Sequence, residues 1–352
     1  MVRIRRTPLL VSLPRIRDVL RVLIDLEDDL YSQDDLIQEF QVRLCEGVKH
    51  PRQRASEFFR FSALIGFLTQ RHGYFEINRS IQSESGEMLS QPVIIECLNF
   101  VVDSYQKRWY ATRERSQDKG RKLHGLFCHR HPHYRMMYDI LTNHLRQGNG
   151  RSPGLTNSEI QEIANKPWFQ TGENLKLSRG IEILGDWGEY FGVLTTNRLF
   201  AKSYPTSNEA KHLYLDDRYY VITGHRVAIE EFQDILEKMY HELKMKFSPF
   251  FLRSDFVDIT LLREYVCEEL KIHRETFDDQ LVQLWSDNLL RYELVRPPWR
   301  SDDLKSITSV FQLRSPSDRP GFILKASRKA RRKGLPSLRI GNYDYFYIRI
   351  SE

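Results

Sequence analysis

Near the N-terminus, apolar side chains recur at intervals of three and four: Ile16, Val19, Leu20, Leu23, Leu26 and Leu30. That spacing predicts an amphipathic helix from Ile16 to Leu30. Ser32, with Asp35 three residues on, matches a capping box with Asp in place of Glu. A second helix is expected to open there, burying Leu36, Ile37, Phe40 and Leu44. Pro51 reads as a break, and a third helix is expected from about Ala55 to Gln70, with Phe58, Phe61, Leu64, Ile65 and Leu68 on one face. It runs into Arg71-His-Gly-Tyr-Phe-Glu-Ile-Asn78, a glycine turn followed by a short alternating strand.

The same succession returns near the C-terminus. Val227 to Met245 is amphipathic through Ile229, Phe232, Ile235, Leu236, Met239 and Leu243. Helices are expected next at Asp258–Leu270 and Arg274–Leu289, followed by a strand at Arg291–Val295. The closing strand, Tyr343 to Ile350, is rich in aromatic and β-branched residues. Between these strands a long loop, roughly Arg296 to Asn342, carries the basic run Arg328-Lys-Ala-Arg-Arg-Lys333. Three helices followed by a hairpin is the plan of a winged helix, a helix-turn-helix variant. Residues 227–350 resemble that superfamily most completely, and residues 1–90 resemble it in outline. The resemblance implies that the long loop is a wing.

In the middle, buried helices are expected at Ile94–Tyr105 and Tyr134–Leu145, and a linker at Gly148–Gly154. A helix capped by Asn157 or Ser158, another from Leu175 to about Tyr190, and a hairpin at Leu213–Ile222 turning at Asp216-Asp217 follow. The expected fold class is therefore mainly α with small β-hairpins (α+β), with two or three winged-helix-like modules joined by helical segments. The expected divisions are an N-terminal module at 1–90, a basic helical connector at 91–150, a possible second helix-turn-helix with hairpin at 151–225 and the C-terminal domain at 226–352.

Composition adds little until charge is mapped. With 41% hydrophobic and 28% charged residues the chain is ordinary for a globular protein. No apolar run approaches the roughly 18 residues that span a bilayer. The N-terminal apolar stretch is interrupted by Pro8, Ser12 and Pro14, unlike a signal peptide. Four scattered cysteines fit free thiols in a reducing compartment, so a cytoplasmic location without membrane partners is expected. The net charge of +6 is unevenly spread. Tyr105–Arg135 carries +7 and Phe322–Gly341 another +7, which leaves −8 on the rest. Two isolated positive segments point to a polyanion.

The candidate nucleic-acid contacts are Lys325, Arg328, Lys329, Arg331, Arg332, Lys333 and Arg339 in the C-terminal loop, and Lys107, Arg108, Arg113, Arg115, Lys119, Arg121 and Lys122 in the middle, interleaved with Trp109 and Tyr110. Arg60 and Arg71 join them from the N-terminal copy, whose third helix, with Arg52 and Arg54, and turn residue His72 are also basic. The third helix of the C-terminal copy carries Glu275, Asp278, Asp279 and Asp287, which disfavour phosphate, although His273, Arg274, Thr276, Gln280 and Gln283 have the chemistry to touch bases. Binding directed mainly at the backbone, with little base reading, is the expectation. His124, Cys128, His129, His131 and His133 are the densest soft donors, but so short a segment rarely closes a zinc tetrahedron, and neither metal nor cofactor is expected. Nucleotide-loop, dinucleotide, nucleophile-elbow and zincin motifs are absent, so no catalytic residue is assigned. The expected function is a non-catalytic nucleic-acid-binding subunit of a larger complex, with DNA ahead of RNA and protein partners besides. Its setting, on general grounds rather than from its residues, is a prokaryotic defence or mobile-element system. The competing readings are a protein–protein adaptor and a metal-dependent nuclease built on scattered carboxylates such as Asp25, Glu27, Asp28, Asp29, Asp34 and Asp35 or Asp216 and Asp217.

Overall fold

Pro14 enters the first turn of helix α1 (Leu13–Asp25), where its missing N–H costs no hydrogen bond. The computed structural model that shows this describes residues 9–26, 30–107, 118–150, 152–166, 180–206, 210–224, 227–247, 256–295, 323–325, 338–340, 343–345 and 347–351. At 104–107, 196–206, 210–217, 246–247, 260, 323–325, 339 and 344 it describes the backbone alone. Strand β1 (Leu30–Tyr31) follows α1, then α2 (Gln33–Leu44). The Ser32 hydroxyl accepts the Asp35 N–H while the Asp35 carboxylate accepts the Ser32 N–H, so the capping box is reciprocal.

Helix α3 (Pro51–Ile65) begins earlier and ends earlier than the spacing predicts. Pro51 occupies the first turn and does not interrupt the helix. At the far end Gly66 adopts the left-handed conformation, φ 90°, and its N–H returns to Ser62 and Ala63. The residues beyond form strand β2 (Leu68–Arg71), which pairs with β3 (Tyr74–Ile77) from Leu68↔Ile77 to Arg71↔Tyr74. His72 and Gly73 between them both have positive φ, the signature of a tight two-residue turn. β1 pairs on the other side of β3, giving the sheet order β1-β3-β2.

A second hairpin, β4 (Ser80–Gln82) with β5 (Met88–Ser90), leads into α4 (Gln91–Lys107), α5 (Asp118–Arg130) and α6 (Pro132–Gln147). Then come β6 (Leu155–Thr156), α7 (Asn157–Ala164), α8 (Ile181–Phe191), β7 (Leu194–Thr206) and β8 (Ala210–Val221). Strand β8 pairs with both β6 and β7. Asp216 and Asp217 thus lie inside one strand, where a hairpin turn was expected. Neither residue supplies the ready positive φ that Gly brings to a tight turn.

The rest comprises α9 (Ile229–Phe247), β9 (Val257–Asp258), α10 (Ile259–Leu270), α11 (Arg274–Asp287), β10 (Tyr292–Val295), β11 (Ile323–Lys325), β12 (Leu338–Ile340), β13 (Tyr343–Tyr345) and β14 (Tyr347–Ile350). The expected closing strand is therefore two, β13 pairing with β12 and β14 with β10 and β9. The sheet order is β10-β14-β9. Phe232, Leu236, Tyr240, Leu262, Val266, Phe277, Leu281 and Ile348 are completely buried in the core of this part.

The chain is mainly helical with small, mostly antiparallel sheets, an α+β fold. It divides into two compact units, one of Met1–Asn143 with Asn157–Leu194 and the other of His144–Thr156 with Thr195–Glu352. One order of elements recurs three times along it, with the first and last strands paired: helix, strand, two helices, then strands, two of them in the first and second runs and five, β10 to β14, in the third. The runs begin at α1, α6 and α9. In the first unit an aromatic core joins Phe61 of α3, Phe127 of α5, His131, Tyr134 and Trp187 and Phe191 of α8, with ring centroids 4.9 to 6.5 Å apart. Two side chains of this core hold the lead-in to α1: Trp187 Nε1 donates to the Val11 carbonyl at 3.0 Å, and His131 Nε2 lies 2.9 Å from the Leu9 carbonyl.

Candidate nucleic-acid interface

Helix α3 buries Ala55, Phe58, Phe59, Phe61, Ser62 and Ile65 and leaves the opposite side to solvent. Phe59 meets Phe75 of β3 edge to face, 4.7 Å between centroids, which fixes the hairpin against the helix. The amide of Asn78 adds a second tie, donating to the Gly66 carbonyl and to Thr69 Oγ1, both at 2.7 Å. The outward face carries Arg52, Gln53, Ser56 and Arg60, one stripe at helical spacing about 12 Å long. Arg71, His72 and Tyr74 are exposed at the hairpin turn. From Lys49 to Tyr74 there are five Lys and Arg against the single acid Glu57.

Not all of these cations are equally available. Arg54 is taken up by Glu57 and by the Phe58 ring, whose centroid lies 5.0 Å from the guanidinium carbon. Arg52 meets Asp34 at 3.2 Å with both side chains about four-fifths exposed, and Arg71 meets Glu76 at 2.8 Å with the arginine 65% exposed. Exposed pairs of this kind are worth about 0–1 kcal/mol, so a phosphate can displace the carboxylate. Arg60 is exposed and has no ion pair among the described residues. Gln53 escapes the sequence reading because Pro51 reads as a break, which puts the helix start at Ala55, beyond it.

In the basic middle segment, Arg108, Arg113 and Arg115 lie outside the described residues, and Lys107 is described only through its backbone. Lys119 and Lys122 are engaged by the protein's own acids. Lys119 reaches Glu96 at 2.6 Å, and Lys122 reaches Asp118 at 3.1 Å and Glu87 at 3.2 Å. The Lys119 hydrogen bond and charge hold the Glu96 carboxyl below its ordinary range, and both ammonium groups are raised above theirs by the same contacts. Arg121 is exposed beside them, on an open depression shared with Ser83, Glu84 and Ser85. In the C-terminal loop, Arg328, Lys329, Arg331, Arg332 and Lys333 lie outside the described residues. Lys325 and Arg339 fall on β11 and β12, described through the backbone.

The C-terminal α10–α11 pair is turned inward. His273, Arg274 and Thr276 are at most 3% exposed. Arg274 grips Glu264 through Nε and Nη2 and donates from Nη1 to Thr195 Oγ1 at 2.8 Å. Glu268 accepts the Gly154 N–H at 2.7 Å and faces Arg218 at 3.5 Å. Gly154, expected in a linker, is thereby part of the packed interior, and a Cβ there would stand 3.0 Å from the Tyr219 carbonyl. Lys271 is buried in the turn, donating to the Glu268 carbonyl, and burial lowers its pKa. The residues expected to have base-touching chemistry are in part unreachable: His273, Arg274 and Thr276 are interior, and Gln280 donates to the Val227 carbonyl at 2.7 Å. Gln283 alone of that set is exposed.

The histidine–cysteine segment does not converge on a centre. His131 uses both ring nitrogens, Nδ1 accepting the Tyr134 N–H at 3.2 Å and Nε2 meeting the Leu9 carbonyl. His124 Nδ1 bonds the Tyr134 hydroxyl at 2.9 Å, and burial pushes both imidazoles down to about 4. Among the described residues no group of three or more His, Cys, Asp or Glu could hold a metal ion, and no helix is long and apolar enough to cross a membrane. Comparison with protein-family models, with curated proteins and with solved structures finds no match in any of the three.

Proposed function

We propose that this chain is a non-catalytic nucleic-acid-binding subunit, taking DNA ahead of RNA, and that its first and last runs of elements are winged helices. The observation that carries the reading is the outward face of α3 with the adjoining β2–β3 turn: Arg52, Gln53, Ser56 and Arg60 on the helix and Arg71, His72 and Tyr74 at the turn. The order α-β-α-α-β-β with strand order β1-β3-β2 supports the winged-helix part, and the β10-β14-β9 sheet supports it for the C-terminal run. Cations there neutralise phosphates, Gln53 and Ser56 suit base or sugar edges, and Tyr74 offers a stacking face. The basic run at 322–341 and the cations of 107–122 other than Lys119 and Lys122, which Glu96, Asp118 and Glu87 engage, add backbone contacts. In the C-terminal run His273, Arg274 and Thr276 at the start of α11 are interior and the exposed side carries Asp279 and Asp287, which repel phosphate, so the N-terminal run carries the recognition.

The test is polarisation of labelled duplex DNA, single-stranded DNA and RNA by the full chain between about 50 and 200 mM salt. The triple change Arg52→Ala, Arg60→Ala, Arg71→Ala is expected to flatten the plot of log affinity against log salt by roughly 2–3, near 0.9 per lost phosphate contact. Neutralising Arg328, Lys329, Arg331, Arg332 and Lys333 is expected to flatten it further. No binding at the lowest salt, or a triple variant indistinguishable from wild type, overturns the reading. The adaptor reading is favoured by one observation, the acidity of α9–α11, and it leads to a separate surface.

A further inference from the structure

The register of the β1-β3-β2 sheet sorts its side chains onto two faces, because successive residues of a strand point to opposite sides. Phe75 and Ile77 of β3 are buried, Phe75 against Phe59 of α3. Tyr74 and Glu76 therefore point outward, and their cross-strand neighbours share that face. Arg71 stands opposite Tyr74, with Thr69 and Leu30 on either side of Glu76. Leu30 is the diagonal neighbour of Tyr74 across β1 and β3, roughly 7–8 Å away and within reach of an aromatic ring. Leu30 is 56% and Tyr74 53% exposed, so two large apolar groups stand uncovered beside an arginine on an otherwise polar face. The platform is stiff. His72 and Gly73 close a two-residue turn at positive φ next to the tyrosine, and Asn78 ties the end of β3 to Thr69 Oγ1. Glu76, half-buried, draws the Arg71 guanidinium over the sheet at 2.8 Å and leaves that arginine open to solvent.

We propose that this outer face takes an unpaired nucleotide, so that the chain prefers a junction of duplex and single-stranded DNA to a continuous duplex. The inference rests on the reading of α3 as the duplex-binding surface and names the class of DNA that surface takes. Inside a duplex both faces of every base are covered by their neighbours, and a ring reaches one only by unstacking it. An unpaired base offers a free face to a tyrosine at no such cost. Position and charge assign the occupant. The hairpin packs beside the basic stripe of α3, since Phe59, which seats Phe75, precedes Arg60 and lies three residues from Ser56. A strand leaving a duplex held on α3 therefore runs over β2 and β3, where Arg71 meets a phosphate, Tyr74 a base and Leu30 the sugar. Three strands span roughly 10 Å, room for one or two nucleotides. Stacking is indifferent to base identity, so the preference is for the junction and not for a sequence.

The experiment measures polarisation of labelled DNA with the full chain. The probes are a blunt duplex of about 16 base pairs, the same duplex with about four unpaired nucleotides at its 3′ or its 5′ end, and each overhang made abasic. The better overhang is expected to bind at least ~5-fold more tightly than the blunt duplex, and its abasic form to return to within ~2-fold of blunt. The abasic strand keeps every phosphate, so it separates stacking from added charge. Tyr74→Ala is expected to abolish the preference while changing blunt-duplex affinity less than ~2-fold, and Tyr74→Phe to retain it. Arg52→Ala with Arg60→Ala is expected to weaken both probes together and leave their ratio unchanged. Position 74 is exposed, and unchanged melting confirms the fold. Equal affinity for overhang and blunt duplex overturns the proposal and leaves the reading of α3 standing. So does an abasic overhang that binds as well as the intact one, or a preference that survives Tyr74→Ala. Failure of every probe to bind overturns the reading of α3 and this proposal with it.

Discussion

Replacing Arg274 by Met removes a guanidinium that is 1% exposed and leaves the Glu264 carboxylate, 4% exposed, without its bidentate partner. The Thr195 hydroxyl loses its donor as well. Removing one partner of a buried ion pair costs about 3–5 kcal/mol, because the surviving charge stays desolvated. For a unit of this size, each kcal/mol moves the melting temperature by roughly 2–4 °C, so Arg274→Met is expected to lower the melting of the C-terminal unit by about 6–20 °C. The informative partner is the double variant Arg274→Met, Glu264→Met. With neither member of this pair left to be desolvated alone, it should return to within about 1 kcal/mol of wild type or surpass it. Scanning calorimetry on wild type, both single variants and the double closes the cycle. A single variant that loses less than about 1 kcal/mol, or a double variant no better than the singles, refutes the view that this interior is held by a matched buried pair.

Three further outcomes follow from buried groups and caps. His124 and His131 are held near 4 by burial, below the usual imidazole value of about 6.5. Their neutral form belongs to the folded state, so stability is full above pH ~6.5 and falls as pH drops towards 4, by about 3 kcal/mol per histidine. His131→Gln should flatten the fall in urea midpoint over that window, and an unchanged slope would refute the assignment. Ser32→Ala removes one half of the capping box and should cost about 1 kcal/mol in thermal melting, whereas a neutral effect would show the cap to be idle. All four cysteines are buried, with the Cys97 and Cys128 thiols pushed up to about 11 and about 12. Iodoacetamide at neutral pH should leave the native chain unlabelled and modify it only in urea; a labelled native thiol would contradict that burial.

What could be read from the sequence was local. The Ser32–Asp35 cap lies within three residues, and the apolar faces of α1, α2 and α9 follow a single period. The errors arose where a residue type has two meanings. Proline at position 51 starts a helix as readily as it stops one, and Leu68 continues the apolar rhythm of α3 although Gly66 has already ended the helix. The basic middle segment read as a free cationic surface, because nothing in its own sequence reveals that Glu96 and Glu87, earlier in the chain, lie against Lys119 and Lys122. Arg274 has the sequence context of a surface residue for the same reason: its partners stand ten residues and 79 residues away. Charge can be counted from a sequence, but whether that charge faces water depends on contacts between distant positions.

The ties from Trp187 and His131 to the stretch before α1 set an order of events during synthesis. Val11 leaves the ribosome 176 residues ahead of the indole that holds its carbonyl, and Leu9 precedes its imidazole by 122. At roughly 5–20 residues per second, the first of those gaps is about 10–35 s. Throughout that interval the leading helix lacks its final anchorage, so a nascent chain arrested before residue 187 should show a protease-sensitive N-terminal end that becomes resistant once α8 has emerged.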